Sequence, residues 1–439
     1  MIEVKLSDNI RTLPKAVQKY LMKFGNEKWT ALVGDKNKRF ENVVVIPALA
    51  EFENIKKLLQ SLSATEDKYH EKFLILFVIN QTVSAKKEIS EDNNKSFELI
   101  KKLMENTLFA NYTFEKLNFA VINAFEKEKA LDDKTGGVGL ARKIGLDFGL
   151  TLLDYKSPKQ KSLISLDADC EVSKNYFTAL YEGVNNRKIK AGHVRFEHPT
   201  NIEPYSDAII KYEIFLRYYV YGLKYARSPF AFFTIGSTMF SDWEAYVKIG
   251  GMNKRKAAED FYFMEKLGKL FDIVEVNDAV VYPSPRVSHR VPFGTGRSVG
   301  EMLSGKNKYD ALYSPGIFEI LKRWNEYFFD EKVRSAHKYL SFAKNINEYL
   351  YDFLMGREFE EYWTEILKSG GSQKQINRQK KFWFDGFRTL KFVHFMRDNC
   401  CENVALGDKS FTKFLRTNYW KRDKLNFHEK ILEFLRRIT

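Results

Sequence analysis

Unbroken apolar runs alternate with helical periodicity along the first two thirds of the chain. Val43, Val44, Val45 and Ile46 form a β-branched run that Pro47 is expected to stop. Ile55, Leu58, Leu59 and Leu62 then recur at helical spacing, so ENVVVIPALAEFENIKKLLQSL reads as strand, turn and helix. FLILFVINQT at 73–82 and LNFAVINAF at 117–125 read as further strands. Runs that are apolar throughout suit strands covered on both faces, as in a parallel sheet flanked by helices. A glycine-bearing loop precedes a helix with Ala141, Ile144 and Phe148 on one face, and SLISLDADC supplies the next strand.

From 204 to 226 the pattern is helical and aromatic, with Ile210, Ile214 and Tyr218 four apart. AFFTIGSTMF at 231–240 reads as a strand. A helix with Trp243 and Tyr246 follows, then a turn at Gly250 and Gly251, and a helix opening at Glu259 with two acids that its dipole favours. IVEVNDAVVYP reads as a strand, and RVSHRVPFGTGRS as a loop. Beyond about 305 helical spacing prevails, with GSQKQINRQK at 371–380 as a polar break. No internal repeat or low-complexity segment is evident.

The 439 residues suffice for one large domain and a smaller one. No apolar run reaches the roughly 18 residues of a spanning helix, and MIEVKLSDNIR lacks a secretory layout, so a cytoplasmic location is expected. Three cysteines, Cys170, Cys400 and Cys401, suggest neither a disulfide framework nor a cysteine-based zinc site. The net charge is +14. Residues 371–439 hold sixteen Lys or Arg against seven Asp or Glu, which favours an anionic partner: nucleic acid, acidic lipid or a phosphorylated substrate.

Asp167 and Asp169 close an apolar strand. If the strand continues through them, they point to one side, and two carboxylates there call for a cation with a taste for hard oxygen ligands. A turn capping a helix from Asn175 fits the same residues. In open α/β sheets ligands bind beyond the carboxyl ends of the strands, where residues 47–51, 80–84 and 167–169 fall on one rim.

In this order, VVIPALAE, GGVGLARKIGLD, LDADCEVS, IGSTMFSDWEAYVKIGGM and AAED make residues 40–300 resemble an inverting nucleotide-sugar glycosyltransferase of family 2. The resemblance implies a GT-A fold: α/β, Rossmann-like, a mostly parallel sheet flanked by helices, here at 40–304. Residues 1–39 would be an N-terminal extension and 305–439 a helical, basic and aromatic region. It implies Mn²⁺ or Mg²⁺ on the donor diphosphate, with Asp169 touching the metal and Asp167 contacting ribose or metal. His289 is the expected third ligand. Asp260 is the expected general base, with Glu259 as the alternative. Arg142 and Lys143 would contact donor phosphate or base, and Pro47, Ala48 and Glu51 would line the nucleotide pocket. Asn80, followed by Gln81, stands where the family commonly has an aspartate that reads uracil; a UDP-sugar is favoured, with a GDP-sugar as the alternative. Ala50 replaces a residue that is often polar.

Arg286, Arg290 and Arg297 surround two glycines, which suits a lid clamping the donor diphosphate or an anionic acceptor. The mixed aromatic and basic C-terminal segments read mainly as helix core. Their sharper reading is a surface docking at the inner face of the membrane, where lipid-linked acceptors reside. The acceptor is expected to be a glycan, a lipid-linked saccharide or a small anionic molecule such as a glycerate. A non-catalytic, basic nucleic-acid-binding protein is the alternative; no nucleic-acid motif supports it, and no nucleic-acid partner is expected.

Overall fold

The computed structural model describes residues 1–8, 10–105, 108–109, 112–288, 294–306, 309–415 and 427–439. The chain forms two compact units that are not contiguous in sequence. One comprises Met1–Pro199 and Thr234–Pro285, the other Thr200–Phe233 and Thr295–Thr439 with the short segment Arg286–Ser288.

A ten-stranded mixed sheet, with most strands running one way, organises the first unit. At its centre Asn118–Ala124, Phe73–Asn80, Asn42–Ala48 and Ser162–Ser165 lie side by side and parallel. Antiparallel pairs extend both flanks. Residues 1–39 belong to this sheet, since Ile2–Val4 pairs with Ala31–Val33 and the latter with Asn118–Ala124.

Strand alternation separates the two faces. Val44, Ile46 and Ala48 pack into a core with Ile55, Leu58, Leu59 and Leu62 of Phe52–Ser63. Val43 and Val45 face the helix Val138–Leu152, whose residues after Val138 are all buried. This helix lies unusually close to the sheet. A Cβ on Gly145 would fall 2.3 Å from Val45 Cγ1, so the approach requires glycine.

Pro47 does not stop its strand, which runs through Ala48. The carbonyl of Val45 accepts from Leu166 N, and pairing on that side ends at Val45 and Ser165. Pro47 is two residues further on, so the donor it lacks points to the same side, past the end of the ladder. Two other expectations fail. The strand after 231 is confined to Met239–Asp242, because residues 235–238 form a turn closed by Thr238 N on the Ile235 carbonyl at 3.0 Å. The polar break at 371–380 is mostly the helix Gln373–Trp383, opened by a Ser372–Gln375 capping box that the sequence contains.

The second unit is helical. Trp324, Phe328, Tyr339, Phe359, Trp363, Trp383 and Phe384 form its aromatic core, joined by Phe392 and by Ile431, Leu432 and Leu435 of Phe427–Ile438. No helix among the described residues is long and apolar enough to cross a membrane.

Replacing Gly145 by Ala should lower stability by about 1–3 kcal/mol through overpacking, although Ala is the better helix former. Urea unfolding checks this; an unchanged or raised midpoint would contradict the close packing.

Candidate active site

The central parallel strands place three segments on one rim, at their carboxyl ends: 48–51, 80–81 and 166–169. Asn93, fully buried on Lys87–Glu105, knits the first two. Its Oδ1 accepts from Ala50 N at 2.8 Å, and its Nδ2 donates to the Asn80 carbonyl and to Gln81 Oε1, both at 3.0 Å. Asn80 Nδ2 donates to the Ala48 carbonyl at 2.9 Å. The amide nitrogen of Asn80 thus shapes the loop. Ala50 adopts a left-handed φ of 50°, a strained setting for a residue with a Cβ. Pro47, Ala48 and Glu51 are all buried at this rim, and Glu51 accepts from Asn54 Nδ2 at 2.5 Å.

Asp167 and Asp169 do not continue the strand. It ends at Ser165, and Cys170 N donates to the Asp167 carbonyl at 3.2 Å, which makes 167–170 a turn. The expected alternation survives in the burial: both carboxylates are half-exposed and Ala168 between them is buried.

Arg142 binds this loop to the acidic helix. Its Nη2 donates to Asp167 Oδ1 at 2.5 Å and its Nη1 to Glu259 Oε1, with only 4% of the Arg142 side chain exposed. Glu259 and Asp260 open the helix Glu259–Leu270 behind Ala258, whose left-handed φ of 56° turns the chain sharply into that helix. The Asp260 carboxylate accepts from the backbone N of the next residue, Phe261, at 2.7 Å. Gly236 leaves the room for Arg142: a Cβ there would lie 2.5 Å from Nη2.

The electrostatics follow from burial. Desolvation raises Glu259 and Asp260 above the ordinary carboxylate range, and Arg142 only partly offsets it. Burial opposes the charge of Arg142, but Asp167, Glu259 and Asp260 outweigh it and hold the guanidinium cationic. The result is one buried cation among three acids. A base with a raised pKa and a carboxylate pair open to solvent can receive a proton and bind a cation, respectively.

Arg142 therefore meets carboxylates where a donor phosphate contact was expected. Lys143 lies elsewhere: its Nζ is in a buried ion pair with Asp147 at 2.7 Å, since consecutive helical residues point about 100° apart. Arg297 is on the helix Thr295–Leu303 of the second unit, paired with Glu301 at 2.8 Å, so this part of the expected loop is helical. His289 and Arg290 lie outside the described residues. Among those described, no group of three His, Cys, Asp or Glu could hold a metal. Two carboxylates still fit a Mg²⁺ or Mn²⁺ that takes its remaining ligands from phosphate and water.

Asn93 and Gly236 do not stand out as site residues from sequence. Gly236 lies within the IGSTMF motif, whereas Asn93 shares the buried face of its helix with Ser96, Phe97, Ile100 and Leu103, and the sequence does not show which distant groups it meets.

No protein-family model matches the chain, and no curated protein does. Similar solved structures include S. aureus TarS 1-349, at 14% identity and TM-score 0.36, covering 56% of this chain and 61% of that chain. The mannosyltransferase PcManGT from Pyrobaculum calidifontis, in complex with GDP-Man and Mn²⁺, is 11% identical at TM-score 0.35, covering 90% and 96%. GalNAc-T7 with UDP, GalNAc and Mn²⁺ is 13% identical at TM-score 0.35, covering 71% and 55%. The chain thus spans less than two thirds of the length of the first and third. At TM-scores below 0.5, a functional reading of this chain rests on its own side chains.

Arg142→Met should cost about 3–5 kcal/mol, because it strands the buried Glu259 carboxylate and leaves Asp167 without its cation. The cost should be larger at pH 8 than at pH 5. Glu259 and Asp260 have raised folded pKa values, so protonation favours the folded state and this contribution fades as pH rises through those values. Chemical denaturation at both pH values measures it; an equal cost at each would refute the electrostatic account.

Proposed function

We propose that the protein is a metal-dependent, inverting glycosyltransferase that moves a sugar from a nucleoside-diphosphate sugar to an acceptor hydroxyl in glycan or cell-envelope polysaccharide synthesis. One observation carries this reading. Arg142 ties the acidic loop at the strand ends to the helix that opens with two acids, so both parts of the chemistry share one site.

Glu259 is spent on Arg142, which leaves Asp260 as the general base. Its carboxylate takes the acceptor hydroxyl proton as that oxygen attacks the anomeric carbon. The bond to the nucleoside diphosphate breaks on the opposite face, and inversion follows. Asp169, with Asp167, would hold Mn²⁺ or Mg²⁺, which supplies positive charge against the departing diphosphate. Pro47, Ala48, Glu51 and Asn80 line the nucleotide side, for UDP first and GDP as the alternative.

Peripheral contact with an anionic membrane surface fits the second unit. On Gln373–Trp383, Lys374, Arg378, Lys381 and Phe382 share one face at 100° per residue, and the helix carries no acid. Across a short turn, Phe387 lies under Lys391 Nζ at 5.3 Å. Phe382 and Phe387 are each 39% exposed, as interfacial anchors would be. The apolar face of Phe427–Ile438 is buried in its own unit, so of the described C-terminal helices the docking surface is assigned to Gln373–Trp383 and Gly386–Asn399.

Asp260→Asn should lower nucleoside diphosphate release from the preferred nucleotide sugar by about 10²–10⁴-fold while donor binding is kept. Undiminished turnover would remove Asp260 as base. Sedimentation with phosphatidylglycerol vesicles at low salt should carry the protein down, and Arg378→Glu with Phe382→Ser should abolish this. Binding to neutral vesicles alone, or to none, would end the membrane reading.

A further inference from the structure

The ion pair beside Arg142 has no part in the chemistry above, yet it is fully enclosed. Lys143 and Asp147 lie one turn apart on Val138–Leu152, with side chains 7% and 5% exposed. Two phenols complete the cluster. Tyr20 OH donates to Asp147 Oδ1 at 2.8 Å and accepts from Lys143 Nζ at 2.8 Å. Tyr246 OH donates to the same Asp147 oxygen at 2.8 Å. A buried ion pair contributes little net stability against an apolar replacement, and its best-attested use is to fix register. Here every polar atom of the pair is directed, which suits that use.

The cluster reaches both halves of the active site. Arg142 precedes Lys143 on the same helix. On the other side, Gly251 presses against Tyr20: with φ of 71°, a Cβ there would fall 1.9 Å from the phenol oxygen. The Gly251 backbone N donates to the Tyr246 carbonyl at 2.9 Å, which ties this turn to the helix that carries the second phenol. Asn253 follows, and its Nδ2 donates to the Glu259 carbonyl at 2.8 Å. Tyr20 comes from Lys15–Phe24, more than a hundred residues before either partner in sequence.

The geometry points to Tyr20 as a positioning residue, whose hydroxyl fixes the register of the Arg142 helix against the turn that delivers Glu259 and Asp260. It touches neither substrate nor reacting atoms. It acts through Asp147 and Lys143 on one side and through Gly251 to Asn253 on the other. The N-terminal segment is then a working part of the active site. This inference rests on the reading of Asp260 as the general base.

The test is steady-state kinetics of nucleoside diphosphate release by the full chain carrying Tyr20→Phe, which keeps the ring and removes the hydroxyl. A displaced base loses rate more than binding, so kcat should fall about tenfold or more, with the donor KM within about threefold. An unchanged kcat in a folded Tyr20→Phe protein overturns the proposal. So does a rise in KM alone. If that variant does not fold, the apolar pair Lys143→Met with Asp147→Leu takes its place, with the same kcat loss expected. Misfolding of both would mark the cluster as core and nothing more, and also overturns the proposal. Asp260→Asn separates the two claims. If it abolishes turnover while Tyr20→Phe does not, only the positioning role fails; if it leaves turnover intact, the catalytic reading fails first.

Discussion

The structure of the site depends on one buried cation. A guanidinium removed from water must be paired, and Arg142 meets that demand with Asp167 on one side and Glu259 on the other. Neither carboxylate can move far without leaving charge stranded in a low-dielectric interior. The acidic turn after Ser162–Ser165 and the first turn of Glu259–Leu270 are thereby fixed relative to each other. The space for Arg142 is prepared in turn by Gly236, where any side chain would collide with it. The depth of its helix is set by Gly145 against Val45 and Val78.

This arrangement divides the acids by task. Asp167 and Glu259 are engaged with Arg142, while Asp169 is half-exposed at the rim and Asp260 stands partly open at the helix start. Burial raises Asp260, and a carboxylate with a raised pKa is a better proton acceptor than an ordinary one. All of this rests on sheet and helix, with the neighbouring loops tied by Asn80 and Asn93, so the site is preorganised.

Much of the fold was legible because apolar patterning is local. The run from Val43 and the helical spacing of Ile55, Leu58, Leu59 and Leu62 directly reflect strand and helix burial. What failed was information held by distant partners. Pro47 stays in its strand because the neighbouring ladder has already ended, and the residues before Met239 are not a strand because they turn where Gly236 admits Arg142. Asp167, Asp169, Glu259 and Asp260 stand out in the sequence through their motifs, and in the structure Arg142 pairs with Asp167 and Glu259, which lie 92 residues apart in sequence. The partner of Arg142 could not be read, since a basic residue on a helix looks the same whether it meets phosphate or carboxylate. Lys143 was misplaced for a related reason. Its acid, Asp147, sits at ordinary ion-pair spacing, and nothing local shows that two tyrosines from elsewhere enclose the pair.

As a glycosyltransferase site, the rim holding Asp167 and Asp169 would bind a nucleoside diphosphate together with a divalent cation. Thermal unfolding of the protein against UDP, GDP and their sugars, with Mn²⁺, with Mg²⁺ and with chelator, tests it directly when repeated on Asp169→Ala. A ligand that binds only the folded state at a hundred times its Kd adds about 2.7 kcal/mol and must raise the midpoint. A metal-dependent rise with one nucleotide, lost in Asp169→Ala, is the expected result. A well-folded protein whose midpoint responds to none of them, or responds equally with chelator and in the variant, would contradict it.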